Sequence, residues 1–455
     1  MSADAEPYTA RADAEPYTVR ADAEPYTARA DAEPYTVRAD TARHTARDDV
    51  IGLYRRHVNS GLARLGELTG APVVVRAEGD HLYTAEGEQL LNCGGFSVFL
   101  LGHGYPPVVD AVCRQLRTMS ITGPMIFHEE LAQAARTLAD ACPDGLEYVY
   151  LTNSGAEAVE TALKLARMNG RRHVVSTDGG FHGKTMGALS VTGREVFRTP
   201  CEPLPGPVDF VPYGDSDALA ARLTAASCVI VEPVQGEGGV RIPPPGYLRR
   251  VADACRSAGA LLVVDEIQTG LGRTGPLWAV EEEGVTPDML LSGKALGGGV
   301  VPVGAVVATP EVFGPLNRDP VLHTSTYGGS PLASVAVRHT VEAVLREEVP
   351  RRTRELEVRL RQLLEERLAG CRHLVREVRG RGALFGVEFH QPSLAGEFVL
   401  GLQERSVVVC PTANALSTVR LTPSAYFGEP ELEWLGRAVG ESADALGKRY
   451  PPAGI

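Results

Sequence analysis

The sequence predicts an α/β protein: a mainly parallel sheet covered by helices on both faces, followed by a smaller α+β unit. Three observations carry this. Short runs that are apolar nearly throughout recur at Tyr148–Thr152, His173–Thr177, Cys228–Glu232, Leu261–Asp265, Asp288–Ser292 and Gly304–Ala308. Helical patterns separate several of them, notably Ala156–Asn169 and Tyr247–Ser257. From about Pro331 the pattern turns helix-rich and closes on short strands and a last helix. A strand with no polar face is covered on both sides, and strands of that kind alternating with helices make a parallel sheet between two helical layers.

The chain opens on a repeat. The nonapeptide Ala-Asp-Ala-Glu-Pro-Tyr-Thr-(Ala/Val)-Arg runs four times from Ala3 to Arg38. Its prolines (Pro7, Pro16, Pro25, Pro34) break any helix every nine residues, and one Tyr per unit cannot cover a core. Residues 1–46 are therefore expected to be a disordered tail. The alternative is a docking segment anchored by Tyr8, Tyr17, Tyr26 and Tyr35. Residues 47–95 begin the folded part, as an N-terminal segment of the small domain. There Pro72–Tyr83 alternates apolar and polar residues, and Gly87-Glu88 reads as a turn between short strands. Residues 96–335 form the large domain, with helical spacing at Pro106–Met119 before the strand–helix series. Residues 336–455 complete the small domain. They comprise an amphipathic helix at Arg351–Leu368, strands at Ala383–Phe389, Val407–Val409 and Thr418–Leu421, and a helix at Glu429–Leu446.

Composition narrows the function. The 455 residues carry a net charge of −12, against a nucleic-acid partner, which would need a basic surface over phosphate. No apolar run reaches the roughly 18–20 residues of a membrane span. The acidic start Met1-Ser2-Ala3-Asp4-Ala5-Glu6 is unlike a secretory signal. Eight cysteines form no C-x-x-C pair and no His/Cys cluster at metal-ligand spacing, so a reducing cytoplasm and no metal site are expected. Only four of 45 basic residues are lysines, namely Lys164, Lys184, Lys294 and Lys448, which makes the list of candidates for covalent lysine chemistry very short.

In an open α/β sheet, ligands sit beyond the carboxyl ends of the strands. Three segments at such ends are unusual. Asn153-Ser154-Gly155-Ala156 turns from a strand into a helix; its free N–H groups suit a phosphate, but taken alone it reads first as a plain N-cap with a tight turn. Leu261–Asp265 ends a buried strand on a carboxylate, which is costly unless it meets a cation or strong donors. A protonated heterocyclic nitrogen would serve, and so would a capped loop. Ser292-Gly293-Lys294 leads into Gly297-Gly298-Gly299, where backbone can approach a ligand closely. A lysine desolvated there is a nucleophile toward carbonyls.

Together the stretches NSGAEA (153–158), FHGKT (181–185), EPVQGEGG (232–239), LLVVDEIQTGLGRTG (261–275), SGKALGGG (292–299) and HTSTYGGSPL (323–332) resemble the class III (omega) aminotransferases, in that family's order, from about Val50 onward. Within the class the chain looks most like putrescine (diamine) aminotransferases, on Phe181–Lys184, Pro243–Leu248 and His323–Gly329. The resemblance implies the pyridoxal-phosphate fold type I: a large cofactor-binding domain with a mainly parallel sheet of seven-stranded type, plus a smaller α+β domain.

It also implies roles. Lys294 would hold pyridoxal 5'-phosphate as a Schiff base and shuttle the proton. Asp265 would pair with the ring nitrogen and Gln268 with the phenolic oxygen. Gly155 and Ala156, helped by Ser154, would bind the phosphate. Phe181 and Ile267 would pack the two ring faces. Ser325 and Thr326 would reach the phosphate of a neighbouring subunit, so a homodimer or higher homo-oligomer with shared sites is implied. Glu237 and Arg420 match a gate: the glutamate neutralises the arginine when an amine or aldehyde is bound, and swings away when the arginine grips the α-carboxylate of glutamate or 2-oxoglutarate. The alternative is a structural salt bridge.

Three places depart from the pattern. Lys184 stands where enzymes acting on ornithine-type or acylated substrates carry Arg, which suits a substrate without a distal carboxylate, such as a diamine; the alternative is a tolerated exchange. The stretch after Arg420 reads Thr422-Pro423-Ser424-Ala425-Tyr426, and the loop Ser120–Ile126 is more apolar than a dication calls for. These two admit a larger or more apolar amine, aldehyde or ketone. The expected activity is transamination between a terminal amine and 2-oxoglutarate; its rival is a biosynthetic enzyme aminating a specialised-metabolite aldehyde or ketone. His182 is expected to pack at the cofactor rim, Cys93 to fill space, and Phe96 and Phe99 either to line a pocket or to fill the core.

Overall fold

A computed structural model describes residues 47–123 and 125–452. The expectation for residues 1–46 lies outside the described residues.

Seven strands form the central sheet: β4 (Tyr148–Thr152), β5 (His173–Thr177), β6 (Val208–Val211), β7 (Ser227–Val231), β8 (Leu261–Asp265), β9 (Met289–Ser292) and β10 (Gly304–Ala308), in the order β4-β10-β9-β8-β7-β5-β6. Only β10 runs antiparallel to its neighbours. All residues of β7, β8, β9 and β10 are buried, which is why they read as unbroken apolar runs. One core layer packs Val229, Leu262, Leu290 and Val307 against Trp278, Tyr247 and the helix Pro331–Arg346; the other packs Val174, Val263, Leu291 and Val306 against the helix Gly155–Met168. Six of the seven strands stand where the apolar runs predict them, within a residue at each end. The seventh, β6, lies at the sheet edge, where Asp209 faces outward and interrupts the apolar signal.

Two smaller sheets flank it. The first joins β1 (Val74–Glu78), β2 (His81–Thr84) and β3 (Gln89–Asn92) to β13 (Val407–Val408), which adds parallel to β3. The second is antiparallel, in the order β11 (Val375–Arg381), β12 (Leu384–Phe389), β15 (Thr418–Leu421), β14 (Cys410–Pro411). Strand β11 is absent from the sequence expectation. It is an edge strand whose Arg376 and Glu377 are exposed, so its composition is that of a solvated segment. Leu91 and Cys93 share a core with Phe385, Phe389, Leu435 and the helix Val349–Arg367, which ties residues near 90 to the C-terminal part of the chain. Among the described residues no helix is long and apolar enough to cross a membrane.

Candidate active site

The carboxyl ends of the central strands converge on a cavity of roughly 220 Å³ lined by Gly155, Ala156, Phe181, His182, Gly183, Glu232, Glu237, Asp265, Ile267, Gln268 and Lys294. Asp265 ends β8, in the middle of the sheet, and is buried. Both its oxygens are tied to protein: Oδ2 accepts from His182 Nδ1 at 2.7 Å and Oδ1 accepts from the Ile267 N–H at 3.1 Å. The carboxylate therefore cannot rotate freely.

His182 is buried as well, and its Nε2 has no hydrogen-bond partner among the described residues. Burial works against its proton, yet the hydrogen bond and charge of Asp265, with Glu232 behind, hold the imidazole's proton affinity above the usual histidine range. Rather than only packing at the rim, as the sequence suggests, His182 is the protein partner of the site's central carboxylate.

Lys294 follows β9 and opens a single turn with φ of +44°, a conformation that few side chains adopt and that functional sites collect. Burial lowers the proton affinity of its amine; Glu237 opposes that and Arg420 adds to it. An amine so placed keeps more of its reactive neutral form. Ser154 caps the helix Gly155–Met168, its Oγ accepting the Glu157 N–H at 3.2 Å. The N–H groups of Gly155 and Ala156, in the first turn, have no intrahelical acceptor, so the positive end of the helix opens into the cavity. Gly155 lies so close to Ile267 that a Cβ there would come within 3.0 Å of its methyl groups.

On the opposite wall, Glu237 ion-pairs with Arg420 of β15. Glu237 Oε2 also accepts the Ala413 N–H at 2.8 Å, and Arg420 Nη1 reaches Gln268 Oε1 at 3.2 Å. Arg420 is wholly buried, and its Nε and Nη2 have no hydrogen-bond partner among the described residues. Burial opposes ionisation of Glu237, but Arg420, the Ala413 N–H and Lys294 together hold its carboxyl below the ordinary glutamate range. A Cβ on Gly236 would overlap Gln268 Oε1, so the turn carrying Glu237 needs glycine there. The Phe96 ring lies 5.9 Å from the Arg420 guanidinium and is largely exposed, whereas Phe99 stacks on His103. Cys93 is buried in the core.

The remaining residues of the expected site lie elsewhere. Ser325 and Thr326 line a separate cavity of roughly 280 Å³ with Thr122, Met125, Ile126 and Tyr150. Ser325 Oγ accepts from Asn153 Nδ2 at 3.1 Å, just ahead of the capped helix. Lys184 is exposed, outside the cavity, with its ammonium 4.1 Å from the Phe197 ring centre. Sequence reasoning also passed over Glu232. Burial pushes this carboxyl up to about 7, with His182 pulling the other way and Asp265 adding to the rise. The signal was present: Glu232, like Asp265, is an acid at the end of an apolar strand.

A mainly parallel seven-stranded sheet with a lysine and a locked carboxylate at its strand ends is the arrangement of the fold type I pyridoxal-phosphate enzymes. Residues 69–439 match the family model for class-III aminotransferases, and the chain belongs to that family. Solved structures similar to it include ornithine aminotransferase from Toxoplasma gondii (30% identity, TM-score 0.82, covering 88% of this chain and 95% of that one). Acetylornithine aminotransferase from Elizabethkingia anophelis shows 29% identity and a TM-score of 0.71, covering 84% and 98%. An (S)-enantioselective omega-transaminase from Thermomicrobium roseum shows 26% and 0.78, covering 89% and 99%. The chain is a pyridoxal-phosphate-dependent transaminase acting on small amines and keto acids. The cavity's donor set fits that coenzyme: an amine for its aldehyde, a fixed carboxylate for its ring nitrogen, free helix N–H groups for its phosphate and a narrow slot beside Ile267.

Proposed function

We propose that the enzyme moves an amino group between a terminal (omega) amine, such as a diamine of the putrescine type, and 2-oxoglutarate. The observation that carries this reading is the Glu237–Arg420 pair. A buried arginine with two donor nitrogens unpartnered, neutralised by a glutamate on a glycine-bounded turn, can serve two substrates of opposite charge in turn. With the glutamate in place the wall suits an amine or aldehyde; with it withdrawn, the guanidinium takes an α-carboxylate bidentately.

Pyridoxal phosphate, when bound, supplies the electron sink that stabilises the carbanion left by proton loss. The chain's residues do the rest. Lys294 would hold the coenzyme through its side-chain amine and, once freed, would accept and return the substrate's proton. Asp265, fixed by His182 and the Ile267 N–H, would face the ring nitrogen and favour its protonated form. Gln268 meets the phenolic oxygen, Gly155, Ala156 and Ser154 the phosphate, and Phe181 and Ile267 the ring faces. Ser325 and Thr326 serve the phosphate of a second subunit, which makes the working unit a homodimer or higher oligomer of a cytoplasmic enzyme. In this reading residues 96–335 form the cofactor-binding domain, and residues 47–95 join 336–455 in the small one.

The names of the similar structures favour amines at the end of a carbon chain, and Lys184 in place of Arg favours one without a distal carboxylate. Its exposed position outside the cavity limits it to a role at the approach to the site. A second reading, amination of a larger aldehyde or ketone, is favoured by the exposed apolar side chains Ile121, Met125, Ile126 and Phe127. A half-reaction screen decides: the loaded enzyme is mixed with putrescine, cadaverine and larger amines one at a time, and loss of the coenzyme's visible band is followed. Turnover of the short diamines with 2-oxoglutarate is the expected result. No reaction with either, beside turnover of a bulkier amine, overturns it in favour of the second reading.

A further inference from the structure

We propose that Glu232 is a positioning residue for Asp265, acting through His182: its buried carboxylate is the site's second counter-charge and, with Asp265, holds His182 as an imidazolium. The inference rests on the coenzyme reading above for the ring nitrogen that Asp265 receives, but its test does not pass through Lys294.

Geometry comes first. Glu232 follows the last residue of β7 and is buried. It makes no ion pair with lysine or arginine among the described residues; instead Oε2 accepts the Phe181 N–H at 2.9 Å and Oε1 the Gly236 N–H at 3.3 Å. One carboxylate thus joins the segment carrying Phe181 and His182 to the turn carrying Glu237. Glu232, His182 and Asp265 line the same cavity.

The charge count follows. Asp265 already faces His182 at 2.7 Å. With a protonated ring nitrogen on the same carboxylate, two cations would face one anion among buried groups, where unbalanced charge is costly. Glu232, once ionised, would balance the count. The coupling is reciprocal: His182 draws down the proton affinity that burial gives Glu232, and Glu232 adds to the field that keeps the proton on His182. His182 Nε2 has no hydrogen-bond partner among the described residues, so no protein hydrogen bond fixes the protonation of that nitrogen and the surrounding charge decides it. The other charged or titratable groups facing Glu232 are Lys294, which feels its charge, and Tyr213, whose hydroxyl donates to the Glu232 backbone oxygen at 3.1 Å; the Glu237–Arg420 pair closes the far wall.

The test is ¹⁵N NMR of the histidine side chains of the holoenzyme, with His182→Asn to assign the signal. Wild type is expected to show both His182 nitrogens protonated at pH 7. Glu232→Gln keeps the size but offers only one acceptor and no charge, and should lower the proton affinity of His182 at least tenfold, about one pH unit. Glu232→Asp keeps the charge but is too short for both N–H groups, and should preserve most of that affinity. A neutral His182 in wild type at pH 7 overturns the proposal without need of any variant. So does a Gln variant without a shift, or equal shifts in Gln and Asp, which would reveal a purely structural clamp. Failure of the coenzyme to become fixed at Lys294 would defeat the coenzyme reading and leave the His182 measurement standing by itself.

Discussion

Glu237→Gln tests the gate most directly. Arg420 is wholly buried and Glu237 nearly so, and the glutamate satisfies two donors at once, Arg420 Nη1 and the Ala413 N–H. Glutamine has one acceptor oxygen, so one donor loses its partner, and the guanidinium loses its only side-chain anion among the described residues. Removing one member of a buried pair costs about 3–5 kcal/mol; because glutamine still fills the space and satisfies one donor, the lower end, about 3 kcal/mol, applies. The same change removes the competitor that 2-oxoglutarate must displace. A hydrogen bond to a charged group contributes about 1.5–3 kcal/mol net, so affinity for 2-oxoglutarate should rise on the order of 10–100-fold. The amine half-reaction should move the other way, because an unneutralised Arg420 repels a dication. The assay is a pair of stopped-flow half-reactions, together with thermal unfolding with and without 2-oxoglutarate, which should stabilise the variant more than wild type. Unchanged or weaker 2-oxoglutarate binding in a variant that still loads coenzyme would refute the gate and leave a structural salt bridge.

Three further changes probe the remaining machinery. Lys294→Ala should still bind coenzyme noncovalently but lose transfer altogether, and borohydride should no longer weld coenzyme to the chain; surviving turnover would refute the assignment. Asp265→Ala should slow proton abstraction by on the order of several kcal/mol through loss of a buried charge partner, read as kcat in the single half-reaction; near-normal rates would count against the role of the carboxylate. Glu266, buried with only Thr269 Oγ1 and the Val280 N–H on its oxygens, is pushed by burial up to about 7 from an unperturbed 4.5. The folded protein thus holds a proton that the unfolded chain releases, so this group makes stability fall as pH rises between about 4.5 and 7, by about 3 kcal/mol at 1.36 kcal/mol per unit. Glu266→Gln can still accept from Val280 and donate to Thr269, so it should raise the urea midpoint at pH 8 and change it little at pH 5; an equal effect at both would sink the reasoning.

What the sequence shows and what it hides divide along physical lines. The central strands are legible because a strand buried on both faces leaves no choice of residue; Leu261–Asp265 is four aliphatics and then an acid. Strands β6 and β11 are not legible, because an edge strand has one neighbour and a wet side, and Asp209, Arg376 and Glu377 look like loop. Lys294 and Asp265 stand out as charges set against apolar runs. Their partners do not: His182 lies 83 residues from Asp265 and Glu237 lies 183 from Arg420, and no local pattern records such a pairing. Glu232 could have been found by the argument that found Asp265, but it was counted as the last residue of its strand rather than as a charge the strand had to bury.

That omission points to the principle on which the site is built. Asp265 ends a strand, Glu232 follows one and Glu237 sits on the turn beyond it, all at positions where a neutral residue would cost less, and each is buried. Against them stand His182, Lys294 and Arg420, the first and last wholly enclosed and the amine half-buried. Five of these groups line one cavity and Arg420 pairs with Glu237 behind it, so acids and bases stand in equal number and the site folds without large uncompensated charge. Yet it is poised, because each group's proton depends on its neighbour's. Burial weakens the hold of Lys294 on its proton while Glu237, Asp265 and Glu232 strengthen it, so withdrawal of the Glu237 carboxylate would remove one of the charges that favour the ammonium form. In the proposed gate, the movement that admits a carboxylate substrate would therefore also weaken the hold of Lys294 on its proton, and the Glu237→Gln half-reactions test both effects at once.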